Sequence, residues 1–266
     1  MPPVLGVVEE QPRAGEGPVT QVRVLFRKVS DGWEPVHASG APMRGSWTVC
    51  FDGKQRDFLE TELERRTESA LIGVHRPLPG EEVHFPGTRS RTFAGWLPGD
   101  VYRPMALSSH ARCDDPARWR PAPLEGELWK EVADNARGQM HAGLCGGPNH
   151  DVRTGEWAPQ LADIELVKSY ASAKGERLVS LRSRTPATGL CDFVEGPSPF
   201  GSWLFAISPG GGVHLLGVGL TVVDAGDYDG DGASEVLTKY GGYNEDGYVL
   251  FSDGFERSVE WKWNYH

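Results

Sequence analysis

The feature that most constrains the fold is a series of short segments in which apolar and polar residues alternate. The clearest is residues 258–265, where Val259, Trp261, Trp263 and Tyr265 are separated by polar residues. Alternation with period two puts the apolar side chains on one face of a β-strand. Similar segments recur between turns, and the 266 residues include 34 Gly and 20 Pro to form those turns. This pattern predicts an all-β protein.

We expect residues 1–266 to form one β-rich domain with a small propeller-like arrangement, or alternatively a β-sandwich. A propeller would be closed by pairing of the C-terminal strand with an N-terminal one. The shared face of Trp261 and Trp263 is expected in the core, and a sugar-stacking platform is the less favoured interpretation. One helical insertion is predicted at residues 124–138, where apolar residues recur every four positions beginning at Leu124.

Composition and charge exclude several classes of protein. The chain has 27 basic and 37 acidic residues and a net charge of −10, which argues against nucleic-acid binding. No apolar run approaches the roughly 20 residues that a membrane-spanning helix needs, so we expect no membrane insertion. Nine Trp, seven Tyr and ten Phe argue against a disordered chain.

An acidic segment near the C-terminus carries the chemistry. Residues 227–235 read DYDGDGASE, which we call the acidic loop. Ca²⁺ prefers six to eight oxygen ligands, and alternating carboxylates in a tight loop supply such oxygens. Gly230 and Gly232 permit the bend that turns them inward. The predicted calcium ligands are the side chains at loop positions 1, 3, 5 and 9 and the carbonyl oxygen at position 7: Asp227, Asp229, Asp231, Glu235 and Ala233.

An EF-hand is the nearest alternative, but it needs a Glu at loop position 12 and a helix on each side. Position 12 is Thr238, and both flanks are β-like. The loop instead resembles the calcium loops of FG-GAP or VCBS-type repeats, in which DxDxDGxxD connects two strands. The resemblance covers residues 220–255, with Glu235 where Asp is usual. The surroundings of the loop, residues 222–226 and 247–266, resemble the C-terminus of uncharacterised bacterial proteins that carry one such repeat, and residues 47–54 and 102–104 resemble the same proteins. That resemblance implies no activity.

The four cysteines allow three pairings into two disulfides. A predicted hairpin at residues 164–183 brings its ends together, with Cys145 upstream and Cys191 downstream. We therefore favour a Cys145–Cys191 disulfide. Cys50 lies in an apolar strand and is predicted to be a buried thiol. Cys113 is a candidate zinc ligand.

Two weaker candidate sites share Cys145 and His150. His110 and Cys113, with Cys145 and His150, would make a four-ligand Zn²⁺ site, but the spacing matches no standard zinc motif and chance is the favoured explanation. A hydrolase with a loop-built site around Cys145, His150 and Asp151 is the alternative function.

The favoured function is that of a non-catalytic, calcium-binding protein with a structural or interaction role and an unknown protein or glycan ligand. We expect it to be secreted or periplasmic because extracellular Ca²⁺ fills modest sites. The residues after Met1 show no signal-peptide pattern, so the protein is either cytosolic or an exported form whose leader has been removed.

Overall fold

The computed structural model describes most of the chain, and its residues divide into two compact units. The first comprises Met1–Arg118 together with Val222–His266, and the second comprises Trp119–Thr221. The described residues are 2–13, 17–30, 32–36, 44–51, 53–62, 64–66, 82–84, 104–110, 112–139, 143–146, 153–157, 160–183, 191–192, 202–242 and 245–264.

The larger sheet of the first unit has eight strands. They are β1 (Val4–Arg13), β2 (Gly17–Val29), β3 (Gly32–Pro35), β4 (Arg44–Cys50), β5 (Gln55–Glu62), β6 (Glu64–Arg66), β7 (Glu82–His84) and β8 (Met105–Ser108). Their spatial order is β5-β4-β8-β1-β2-β7-β6, and β3 also pairs with β2. Every pair whose register is described is antiparallel.

The second sheet lies close to the C-terminus in sequence and has four strands in chain order. They are β17 (Leu220–Gly226), β18 (Glu235–Gly241), β19 (Glu245–Ser252) and β20 (Arg257–Asn264). A short 3₁₀ turn, Asp253–Phe255, connects the last two strands. The acidic loop is the connection between β17 and β18.

Both sheets contribute side chains to one buried cluster of the first unit. From the eight-stranded sheet and the segment after it come Leu5, Val7, Leu25, Phe26, Cys50, Ala106 and Cys113; from the other sheet and the acidic loop come Val223, Tyr228, Leu237, Tyr248, Leu250, Trp261 and Trp263. The Trp261 Nε1–H donates a 3.0 Å hydrogen bond to the Val36 carbonyl oxygen. The alternating tryptophans of β20 therefore belong to the core, as their spacing predicts.

The second unit contains two further antiparallel sheets. The five strands of one are β9 (Arg120–Pro121), β12 (Ile164–Ala171), β13 (Arg177–Ser183), β15 (Ser202–Ile207) and β16 (Val213–Val218), in the order β16-β15-β13-β12-β9. The other has three strands, β10 (Gly143–Gly146), β11 (Arg153–Trp157) and β14 (Cys191–Asp192), in the order β11-β10-β14. A 3₁₀ turn, Leu161–Asp163, precedes β12.

The helix expected at residues 124–138 runs over Gly126–Gln139 and is named α1. Its buried face, with Val132, Ala133 and Ala136, packs against the five-stranded sheet around Trp203. This face follows from the four-residue apolar spacing, because such residues line one side of a helix. Within the described part of the chain, no helix combines the length and apolarity needed to cross a bilayer.

The chain is thus mostly β. The described strands form four separate sheets, and β20 pairs with β19 rather than with an N-terminal strand. The described strands therefore do not show the predicted pairing of the C-terminal strand with an N-terminal one.

The prediction that Cys50 is a buried free thiol is wrong, because Cys50 forms a disulfide with Cys113. The two Cα atoms are 6.1 Å apart, and both residues are fully buried. Sequence separation concealed this pair, since its members are 63 positions apart. The favoured Cys145–Cys191 pair stays a prediction: the two residues face each other in the β10–β14 register, but their side chains lie outside the described residues.

Removing the Cys50–Cys113 disulfide in a C50A/C113A variant should lower the free energy of unfolding by about 2–4 kcal/mol, because the unfolded chain regains the entropy of a long loop. Urea unfolding followed by circular dichroism measures this change. A variant as stable as the wild type would contradict the assigned role of the disulfide.

Peptide mapping without reduction should recover a peptide pair containing Cys145 and Cys191 in addition to the pair containing Cys50 and Cys113. The reason is that residues directly opposite in antiparallel strands have Cα atoms about 4.5–5.5 Å apart, within the range of a disulfide. Alkylation of Cys145 and Cys191 as free thiols in the folded, unreduced protein would refute the pairing.

Candidate metal centre

The acidic loop brings three carboxylates together. One oxygen from each of Asp227, Asp229 and Glu235 lies within 4.8 Å of the others. The loop places them there because Glu235 is the first residue of β18 and Asp227 follows β17 directly. Paired strands fix both ends of the loop, so its short sequence has to fold back on itself.

The fold of the loop is set by the Asp227 carboxylate. Its two oxygens accept hydrogen bonds from the amides of Gly230, at 2.7 Å, and Gly232, at 3.0 Å. Both glycines have a positive φ, 81° and 86°, which L-residues with a side chain rarely adopt. Gly230 also lies close to His110, because a Cβ atom there would be 2.5 Å from two atoms of its ring.

Asp229 and Asp231 each accept a hydrogen bond from the amide two residues further along the loop. Asp229 Oδ1 accepts from the Asp231 amide at 3.1 Å, and Asp231 Oδ1 accepts from the Ala233 amide at 2.8 Å. The Asp229 side chain is only 2% exposed, whereas that of Asp231 is 48% exposed. Of the five predicted ligands, the structure gathers Asp227, Asp229 and Glu235, while Asp231 lies outside this group and Ala233 is exposed.

Glu235 is the most deeply buried acidic residue of the centre. The residue is 2% exposed, and its Oε2 accepts a 2.9 Å hydrogen bond from the Tyr228 amide. Burial raises the pKa of Glu235 to about 8 against the opposing effect of that hydrogen bond, and the charges of Asp229 and Asp231 act in the same direction as burial. An ionised Glu235 therefore needs a compensating positive charge nearby.

The acidic loop is held by residues 108–110 and 112–117, which we call the strap. Ser108 Oγ donates a 2.7 Å hydrogen bond to the Tyr228 carbonyl oxygen. The Cys113 carbonyl oxygen approaches Gly226 so closely that a Cβ atom there would lie 2.6 Å from it. Through Cys113, the strap is also covalently joined to β4. The position of the loop thus depends on a segment that is distant in sequence.

A second connection between strap and loop passes through Asp115. Its Oδ1 accepts hydrogen bonds from Ser234 Oγ at 2.5 Å and from the Ala117 amide at 3.0 Å. The Ala117 amide also donates to Ser234 Oγ at 2.9 Å, and Asp115 is 8% exposed. Asp115 therefore joins the strap to the loop, and the sequence pattern does not identify it as part of the centre.

Lys28 is a further residue that the sequence pattern does not identify. Its ammonium group contacts the Asp229 carboxylate and lies 3.8 Å from Asp231 Oδ2. Burial acts to lower the pKa of Lys28, but the hydrogen bond and charge of Asp229 outweigh it, so the pKa is raised. No signal in the sequence relates Lys28 to the loop, because β2 and the loop meet only in the folded unit.

Of the two alternative sites, one is wrong and the other stays a prediction. The four-ligand zinc site is wrong as proposed, since Cys113 is consumed by the disulfide and offers no thiolate. His150 and Asp151 lie outside the described residues, as does the side chain of Cys145, so the loop-built hydrolase site stays a prediction.

Comparisons with known proteins found no match: no family model, no curated protein and no solved structure matches this chain.

Replacing Ser234 with alanine should lower the free energy of unfolding by about 1–2 kcal/mol, because the buried Asp115 carboxylate loses a hydroxyl donor. Urea unfolding measures the change. The matched control is S258A on the exposed side of β20, for which a change within about 0.5 kcal/mol is expected. Equal effects of the two substitutions would contradict a specific contact between strap and loop.

Proposed function

We propose that the acidic loop binds a divalent cation, Ca²⁺ in preference to others, and that the bound ion stabilises the fold of the first unit without catalysing a reaction. The observation that carries this proposal is the convergence of oxygens from Asp227, Asp229 and Glu235 within 4.8 Å. Two of these side chains are almost withdrawn from solvent. Carboxylates crowded in this way repel one another unless a cation lies between them.

The donor set supports calcium because it consists of oxygens alone. A hard cation such as Ca²⁺ takes six to eight oxygen ligands in flexible geometry, whereas Zn²⁺ sites usually include nitrogen or sulfur. Three carboxylates supply part of that shell, and Asp231, the Ala233 carbonyl oxygen and water are the remaining candidates. We interpret the loop as an FG-GAP or VCBS-type calcium loop on this basis and on its spacing.

A stabilising role is supported by what surrounds the loop. The strap contacts the loop through Ser108 and Asp115, and through Cys113 it contacts Gly226 at the end of β17, so an ion that orders the loop also supports the packing of the strap against β4. We further propose a sandwich-like arrangement for the first unit, in place of a propeller, because two sheets share one buried cluster.

The proposed setting is an exported protein with an interaction role. The Cys50–Cys113 disulfide favours an oxidising compartment, where such bonds form and persist. Such compartments also supply the calcium that a site of modest affinity needs. The proposed partner is a protein or a glycan.

Calcium should raise the melting temperature of the chelator-treated protein. With calcium at about 100 times Kd, the expected stabilisation is about 2.7 kcal/mol, which corresponds to roughly 5 °C or more for a protein of this size. Differential scanning calorimetry with and without CaCl₂ measures the shift. D229N and E235Q should each reduce it strongly, since each removes a ligand charge while keeping a hydrogen-bond acceptor.

The matched control is D253N, because Asp253 is an exposed carboxylate that pairs with Arg257 outside the acidic loop. This variant should keep the full calcium shift. The absence of a shift with millimolar Ca²⁺, Mg²⁺ and Mn²⁺ would reject a cation site. A shift produced by Zn²⁺ alone would reject the assignment of calcium.

A further inference from the structure

One amino group of the protein already lies at the carboxylate cluster. The Lys28 ammonium contacts the carboxylate of Asp229, and its distance from Asp231 Oδ2 is 3.8 Å. Asp229 contributes an oxygen to the three-carboxylate group, so Lys28 and a metal ion would share this ligand. The Asp229 side chain has only 2% of its surface exposed, so Lys28 and the surrounding protein already cover this carboxylate.

The position of Lys28 follows from the strands around it. Its amide donates a 2.8 Å hydrogen bond to the Pro3 carbonyl oxygen, and in the β2–β3 register it lies opposite Trp33. The ammonium group is 5.6 Å from the centroid of the Trp33 ring, a distance at which a cation is attracted to an aromatic face. The Lys28 side chain is 26% exposed. Its placement thus has backbone and side-chain causes besides the attraction of Asp229.

We propose that Lys28 is a built-in competitor of the divalent cation and sets the affinity of the site. In the metal-free protein the ammonium group neutralises part of the charge of the acidic loop. When the cation binds, it takes the Asp229 oxygen, and the ammonium group moves away because two positive charges at one carboxylate repel each other. This inference rests on the proposed cation site and adds the residue that determines how tightly it binds.

Competition of this kind has two linked consequences. A variant without the charge of Lys28 binds the cation more tightly, since no ammonium group has to be displaced. The same variant is less stable without metal, since the carboxylates of the loop lose their partner. The effects have opposite signs, which separates competition from general damage to the fold.

The experiment compares the wild type with K28M and K28Q by isothermal titration calorimetry with CaCl₂ on the chelator-treated full chain. K28M keeps the length of the aliphatic side chain, and K28Q is a second variant in case K28M folds poorly. We expect a Kd for Ca²⁺ at least about fivefold lower for both variants. Their melting temperature in excess chelator should lie below that of the wild type.

The matched control is K262M, which removes one positive charge from β20, where Lys262 pairs with Glu260 and lies over the Tyr240 ring. It should leave the Kd unchanged, because its charge partners are outside the acidic loop. K28R, which retains the charge, should also remain close to the wild type.

The outcomes distinguish this inference from the proposed function. Calcium binding by the wild type with an equal or higher Kd for the Lys28 variants overturns competition and leaves the cation site standing. Binding by K28M and K28Q alone supports competition and overturns calcium binding as a property of the natural chain. Absence of binding in every variant overturns both. An equal decrease of the Kd in K262M would show that the effect comes from net charge alone, and it would also overturn the inference.

Discussion

Cys113 is bonded to Cys50 in the core of the first unit, and the residues next to Cys113 hold the acidic loop. This covalent constraint fixes the strap, whose Asp115 carboxylate and Cys113 carbonyl oxygen lie against Ser234 and Gly226. A loop rich in carboxylates tends to open in water because its charges repel one another. Here its ends are fixed by two paired strands and its flank by the strap, so the carboxylates stay close together.

Electrostatic interactions act on the same carboxylates that the disulfide and the strap hold in place. Glu235 is buried at the base of the loop beside Asp229, and burial penalises the charged form of Glu235. The amide of Tyr228 and the ammonium group of Lys28 offset part of that penalty. The architecture therefore concentrates negative charge at one position, where the attraction for a cation exceeds that of the same residues spread over a surface.

Local patterns in the sequence predicted much of the fold, and contacts between distant segments were missed. The hairpin predicted at residues 164–183 is formed by the strands Ile164–Ala171 and Arg177–Ser183, because alternation and a turn residue act within a few positions. The carboxylates of the loop were also found from their spacing. Lys28 and the disulfide to Cys113 were missed, since both depend on how sheets pack, and periodicity within one strand contains no information about its partner across the core.

The first unit is built from two stretches of chain, Met1–Arg118 and Val222–His266, and the second unit lies between them in sequence. The core of the first unit contains Trp261 as well as Leu5, so it cannot be completed until the last strand has been synthesised. The second unit needs only residues that have emerged earlier. During synthesis the apolar side chains of the early strands therefore lack part of their core partners until β20 has emerged, and incompletely buried apolar surface favours aggregation.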